Sequence, residues 1–171
     1  MRILLADDDQ SVRRVLQFKL EKQGYTVTVV ADGALALEKI RSDRWDLLLS
    51  DIKMPKVDGI ELLEQAKALQ PDLKVILITA HATVAQAVKA VKLGAFDYIT
   101  KPFDDDELFV TVNKALAFKR LESENRQLRD QLQQLGSDRE PIGVSKAFQD
   151  LMSVVDKIAP TDATVLLPGA S

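Results

Sequence analysis

Two acidic clusters stand where apolar runs stop. Met1-Arg-Ile-Leu-Leu-Ala leads into Asp7, Asp8 and Asp9, and Leu47, Leu48 and Leu49 run through Ser50 into Asp51. A carboxylate ending a short apolar run that reads as a strand buried on both faces emerges at the edge of a sheet. If the two runs are parallel neighbours, their carboxylates crowd one small space and need a cation or a proton there. Carboxylates with no histidine or cysteine beside them favour a hard cation such as magnesium, which takes carboxylate, carbonyl and water oxygens. On this reading Asp8 and Asp51 bind the ion directly and Asp7 holds a bound water. A carboxylate beside such an ion can also attack phosphorus and become an aspartyl phosphate. The ion would neutralise phosphoryl oxygens during in-line transfer, the Lys101 ammonium would pair with one of them, and Thr79 Oγ would donate to the new group.

These residues need a frame that brings them to one place, and the chain has the pattern of one. Residues 3–6 read as a strand, and the acidic triplet caps a helix over 10–23 with Val12, Leu16 and Leu20 on one face and Gly24 at its end. Residues 25–30 alternate as a second strand, Ala31-Asp-Gly turns the chain, and Leu35, Leu37 and Ile40 mark a second helix. A third strand spans 45–50, with Trp45 packing at its start, followed by a loop at Met54-Pro55 and Asp58-Gly59 and a helix over 60–69. Pro71-Asp72 turns into a strand over 73–79, a helix over 84–93 closes at Gly94, and a fifth strand covers 96–99. Strands alternating with helices over short loops imply a parallel sheet covered on both faces, with right-handed crossovers. A ligand site in such a sheet lies beyond the carboxyl ends of the strands, at the switch point of strand order. Asp7 to Asp9, Asp51, Thr79 and Lys101 all fall at those ends.

Taken singly, each has an ordinary reading. An aspartate triplet commonly does no more than cap a helix, Lys101 reads as a solvated loop lysine, and Thr79 as a strand-end residue. Convergence of ionisable groups from four strand ends is what points to a site. His81 is the single histidine, and a lone histidine in a loop reads as a surface residue. Tyr98, without the motif around it, reads as a half-buried core aromatic.

The chain has 171 residues, 46% of them hydrophobic, a formal net charge of -3 and no cysteine. That length suits one compact domain with an appendage, and the missing thiols exclude disulfides and thiolate metal sites. No apolar run approaches the roughly 20 residues that cross a bilayer, and the N-terminus lacks the pattern of a signal peptide, so the expectation is a cytoplasmic protein with no membrane. Mild acidity argues against this piece holding DNA phosphates itself.

The motifs LLADDD, LLLSDIKMPKVDG, LITA and YITKPF, in that order, closely resemble the receiver domain of two-component response regulators over about residues 1–121. The resemblance implies a flavodoxin-like, doubly wound five-stranded parallel sheet in the order 2-1-3-4-5. It implies that Asp51 accepts a phosphoryl group from a sensor histidine kinase, and that Asp8 and Asp51, with Asp7 and the backbone carbonyl of Lys53, hold Mg2+. Thr79 and Tyr98 would be coupled switch residues, and Lys101, before a cis bond to Pro102, would contact the phosphoryl group. Asp9 extends the usual acidic pair to three.

From Asp104 the pattern is helical to about Leu135. Phe118, Leu121, Asn125, Leu128, Leu132 and Leu135 alternate at spacings of three and four, a coiled-coil seam with Asn125 at an a position, Glu124 at g and Arg129 at e, which predicts a parallel homodimer. The plainer alternative is a solvated helical linker. Gly136-Ser-Asp ends this helix; Phe148, Leu151, Val154, Val155 and Ile158 form a short amphipathic helix, and 164–167 a strand before Pro168-Gly169-Ala170-Ser171. This tail resembles the start of the AAA+ ATPase domain of sigma-54-dependent, NtrC-type activators, where a phosphate-binding loop opens; its glycine-lysine part is missing. The expected organisation is therefore a receiver at 1–120, a coiled-coil linker at 121–138 and an ATPase fragment at 139–171. This fragment would not bind or hydrolyse ATP, nor bury a core by itself. The receiver would dimerise through its fourth-helix and fifth-strand face, around Ala87, Val91, Phe96, Tyr98 and Phe109, as well as through the linker. Sigma-54 RNA polymerase and DNA would be met only through domains missing here. Two rivals remain: a haloacid-dehalogenase-like phosphatase using Asp7 and Asp9, which leaves Asp51 and Lys101 without roles, and a purely structural dimerisation module.

Overall fold

The structure, a computed structural model, describes residues 1–80, 84–137, 145–146, 149–150 and 152–153. His81, Phe148, Leu151, Val154, Val155, Ile158, the strand expected at 164–167 and the Pro168-Gly169-Ala170-Ser171 segment lie outside the described residues. The chain divides into two units, Met1–Arg126 and Gln127–Ser171.

Strands and helices alternate: β1 (Arg2–Ala6), α1 (Gln10–Lys22), β2 (Thr26–Val30), α2 (Gly33–Ser42), β3 (Leu47–Asp51), α3 (Gly59–Leu69), β4 (Lys74–Thr79), α4 (Val84–Lys92) and β5 (Asp97–Thr100) lie in the first unit, and α5 (Asp105–Ser137) begins there. All strand pairings are parallel, in the order β2-β1-β3-β4-β5. This is the expected doubly wound sheet, and the alternation of side chains along each strand divides its core in two. Ile3, Leu5, Leu47, Leu49, Ile76 and Ile78 face α1 and α5. Leu4, Ala6, Leu48, Val75 and Leu77 face α2, α3 and Ala90 of α4. Leu47, Leu48 and Leu49 are all fully buried, because β3 is central and covered on both sides. Each such side chain contributes about 1.5–3 kcal/mol of apolar burial.

Several boundaries differ from the sequence pattern, and each has a local cause. Trp45 packs in the core just ahead of β3, its Nε1 donating to the Lys39 carbonyl at 3.0 Å, while the strand continues through Asp51, which pairs with Ile78. In α2, Ala36 is fully buried and Leu35 is 40% exposed. The capping of Leu35 N–H by Asp32 fixes where that helix starts, and hence which side turns inward. The fifth strand runs one residue further than expected, to Thr100, so Lys101 follows it directly.

α5 remains helical well past the sheet, and its turns near residue 120 are tied back to the end of β4 remote from Thr79. Lys74, only 8% exposed, places its Nζ 2.7 Å from Glu122 Oε2 and 4.6 Å from the Phe118 ring centroid. Arg126 grips Asp72 with both terminal nitrogens at 2.8 Å, and Lys119 Nζ donates to the Asp72 carbonyl at 3.0 Å. A buried ammonium is costly unless paired, and α5 supplies both the carboxylate and the aromatic face. Glu122→Ala should therefore destabilise the chain by about 1–3 kcal/mol, the scale of an abandoned buried donor. Arg126→Ala, which removes an exposed pair, should cost less than about 1 kcal/mol. Urea unfolding of the two variants measures both, and equal effects would contradict this ranking.

Candidate functional site

The register of the sheet carries the chemistry to one edge. Ala6 pairs with Ser50, Asp51 with Ile78 and Thr79 with Thr100, so four strands end nearly level. Asp7 follows β1, Asp51 closes β3, Thr79 closes β4 and Lys101 follows β5. The Lys101 N–H donates to the Thr79 carbonyl at 2.7 Å, and the Lys101–Pro102 bond is cis, as expected.

At that edge the Lys101 ammonium lies between two carboxylates, 2.8 Å from Asp7 Oδ2 and 3.0 Å from Asp51 Oδ1. Asp7 is fully buried and Asp51 is 7% exposed. Asp51 Oδ2 accepts from its neighbour Lys53 N–H at 3.0 Å, and Asp7 Oδ1 accepts from Asp9 N–H at 2.9 Å. Burial pushes the Asp51 carboxyl above the usual carboxylate range and the negative Asp7 adds to this, while Lys101 and the Lys53 N–H pull in the other direction without winning. For Lys101 burial is again the largest influence, and it favours the neutral amine. The hydrogen bonds to Asp7 and Asp51 outweigh it, so the ammonium is held above its ordinary value.

The acidic triplet divides its labour. Asp9 Oδ1 caps α1, accepting from Ser11 N–H at 2.7 Å and Val12 N–H at 3.3 Å. Asp7 faces inward onto Lys101, and Asp8 is exposed. Among the described residues, no three carboxylate or imidazole groups already stand together as an ion cage. What the structure brings together is two oxygen-donor side chains sharing a single ammonium, which leaves one negative charge over, with Asp8 adjoining. That donor set, all oxygen and net negative, fits a hard divalent cation.

Thr79 is 5% exposed at the end of β4. Tyr98, 38% exposed on β5, shares with Thr79 a small crevice that Ile52, Leu77, Ala87 and Ala90 also line. The loop after β3 is shaped by contacts that no sequence spacing signals. Lys56, at φ +69°, reaches Asp32 at 2.6 Å, and Gly59 packs against the strand end: a Cβ there would lie 2.3 Å from the Asp51 carbonyl oxygen and 2.8 Å from Ile52 Cα. Its N–H donates to the Ile52 carbonyl at 2.9 Å.

Residues 3–113 match the response regulator receiver domain. The chain belongs to that family. The whole receiver aligns with relatives that continue beyond it: the chain is 42% identical over 99% of its length to the transcriptional regulatory protein ZraR of Klebsiella oxytoca, covering 37% of that protein. It is 38% identical over 99% of its length to the DNA-binding transcriptional regulator NtrC of Escherichia coli, covering 35% of it. It thus spans just over a third of the curated relatives it matches. Among solved structures, the response regulator TrrA of Thermotoga maritima, in complex with Mg(2+)-BeF, is 34% identical, with a TM-score of 0.62, over 67% of this chain and 98% of that one. The resemblance read from LLADDD, LLLSDIKMPKVDG, LITA and YITKPF is therefore that of a true receiver.

Two outcomes follow from the receiver's geometry. Because Asp51 titrates above its unfolded value, the folded state binds the proton more tightly, and stability is lost as pH rises from the ordinary carboxylate range through the folded value. Asp51→Asn should accordingly melt a few degrees higher than the parent at neutral pH, the gain fading in acid, as thermal unfolding across pH would record. Gly59→Ala should cost about 1–3 kcal/mol, since the added methyl meets backbone that cannot yield without moving Asp51; chemical denaturation measures it.

Proposed function

We propose that this chain is the phosphorylation-dependent receiver and linker of a sigma-54-dependent transcriptional activator, with Asp51 as phosphoacceptor for a sensor histidine kinase. The observation that carries the reading is the Lys101 ammonium between Asp7 and Asp51. It holds a nucleophilic carboxylate at a sheet edge with a cation ready for the incoming group.

The residues that would hold magnesium are Asp8, Asp51 and the Lys53 backbone carbonyl, with Asp7 behind them. Bound there, the ion supplies positive charge to the phosphoryl oxygens. Asp51 is the nucleophile: a carboxylate oxygen forms the bond to phosphorus as the bond to the donor's imidazole nitrogen breaks, the electron pair going to that nitrogen, which takes up a proton. Lys101 then pairs with a phosphoryl oxygen and Thr79 Oγ donates to another. Tyr98 and Ala87 line the crevice beside Thr79, which would couple the new charge to the surface formed by α4 and β5. The kinase partner and the cytoplasmic setting are parts of this proposal. So is the organisation into a receiver at 1–120, a linker at 121–138 and the start of an ATPase domain at 139–171. Among the described residues no helix is long and apolar enough to cross a membrane. The rival phosphatase reading needs Asp9 as an acid, and the Asp9 carboxylate is engaged in capping α1.

The linker reading is supported by Leu121, Leu128 and Leu132, all more than half exposed in the single chain; Phe118, expected in the same seam, packs against Lys74 and Phe96. A second copy of the chain would cover these leucines in a parallel coiled coil, with Asn125 paired across it.

Acid-stable, base-labile incorporation from a small phosphodonor should require magnesium and vanish in Asp51→Asn; labelling that survives this substitution would overturn the assignment. In sedimentation, Leu128→Glu should shift the chain toward monomer, and an unchanged dimer would remove the coiled coil from the account.

A further inference from the structure

The aspartate with the least support of its own is the one the metal reading needs most. Asp7 is fixed by Lys101 and by Asp9 N–H, and Asp9 is fixed by its cap. Asp8 is exposed, and its carboxylate makes no hydrogen bond or ion pair among the described residues. With no partner on the carboxylate, the backbone that carries Asp8 is what sets where its Cβ projects. That backbone is gripped from α1: Arg13 Nη1 donates to the Asp7 carbonyl at 2.6 Å and to the Asp8 carbonyl at 2.9 Å.

Two consecutive carbonyls held by one nitrogen fix two consecutive peptide planes, because each unit is rigid. The Cα of Asp8 is the joint between them, so both of its backbone torsions are set. The Asp7 N–H, on the Val30 carbonyl at 3.3 Å, and the Arg13 N–H, on the Asp9 carbonyl at 3.0 Å, close the loop at either end. Arg13 is itself half-buried, which limits the side chain's freedom to let go.

We propose that Arg13 is a positioning residue, whose hold on the Asp7 and Asp8 carbonyls aims the Asp8 carboxylate at the Asp51 side of the site and thereby sets the affinity for a divalent cation. The proposal rests on the reading of Asp7, Asp8 and Asp51 as the metal site. It has a distinctive sign. As a charge alone, the Arg13 guanidinium repels an incoming cation, and its removal would tighten binding. As a positioning group it works through geometry, and its removal weakens binding, by about tenfold on the scale usual for outer-shell partners of metal ligands.

Calorimetric titration of magnesium chloride into the whole chain separates the possibilities. We expect Arg13→Gln to bind magnesium about tenfold more weakly than the parent, and Arg13→Lys, which keeps the charge and a donor group on a shorter stem, to fall between them. In an Asp8→Asn background, Arg13→Gln should have no further effect on affinity, because the side chain it aims is gone. Melting in EDTA checks that each variant is folded; a merely structural role would lower affinity equally with and without Asp8. Magnesium affinity in Arg13→Gln equal to or above that of the parent, or an undiminished effect in the Asp8→Asn background, overturns the proposal. Failure of the parent itself to bind magnesium would instead overturn the metal reading on which the proposal rests.

Discussion

A single ammonium shared by two buried carboxylates is the constraint on which this receiver turns. Lys101 and the two aspartates come from loops and strand ends separated in sequence by as many as 94 positions, so their meeting requires the whole sheet. Desolvation penalises all three charges, and the pairing offsets this unevenly: it keeps Lys101 charged and leaves Asp51 above the ordinary carboxylate range. The arrangement is overcommitted on the acidic side: one ammonium serves two carboxylates, so the site gains from a further positive charge.

The same strand that ends in Thr79 begins in Lys74, and the two ends of β4 solve opposite problems. At the carboxyl end, β4 delivers a small hydroxyl residue into a site rich in anions. At the amino end it carries an ammonium into a poorly solvated position, and the counter-charge comes from Glu122 on α5. The Phe118 ring, packed 6.0 Å from Phe96, completes the enclosure. The first unit accordingly extends to Arg126, past the residues that match the receiver family.

Much of this was legible in the residues. Apolar runs ending in Asp7 and Asp51 located the strand ends, and the glycine at position 24 marked the end of α1 at φ +86°. Short apolar runs read well because β1, β3 and β4 are buried on both faces, where burial alone decides the residue types. What escaped was long-range polar pairing. Nothing around Lys74 distinguishes it from a solvated lysine, since its partner lies 48 positions away. The grip of Arg13 on two carbonyls leaves no trace in spacing, because a carbonyl belongs to every residue alike. Leu35, expected on the apolar face of α2, is exposed while Leu37 and Ile40 are buried, because periodicity fixes the interval of an apolar face and not its phase, which here the Asp32 cap sets.

Phase is also what the α5 contacts determine. Phe118, Glu122 and Arg126 recur every fourth residue along the face turned to the receiver. Leu121 and Asn125, each one position before a receiver-facing residue, lie roughly 100° around the helix from it. The clamp at Lys74 and Asp72 and the exposed stripe thus occupy different sides of one helix, and engagement of the first does not obstruct the second. Rotation of α5 about its axis would break the contacts with Lys74 and Asp72 before it could bury Leu121 against the receiver. The direction in which Leu121 and Asn125 look is therefore tied to the contacts that α5 makes with Asp72 and with Lys74 at the amino end of β4.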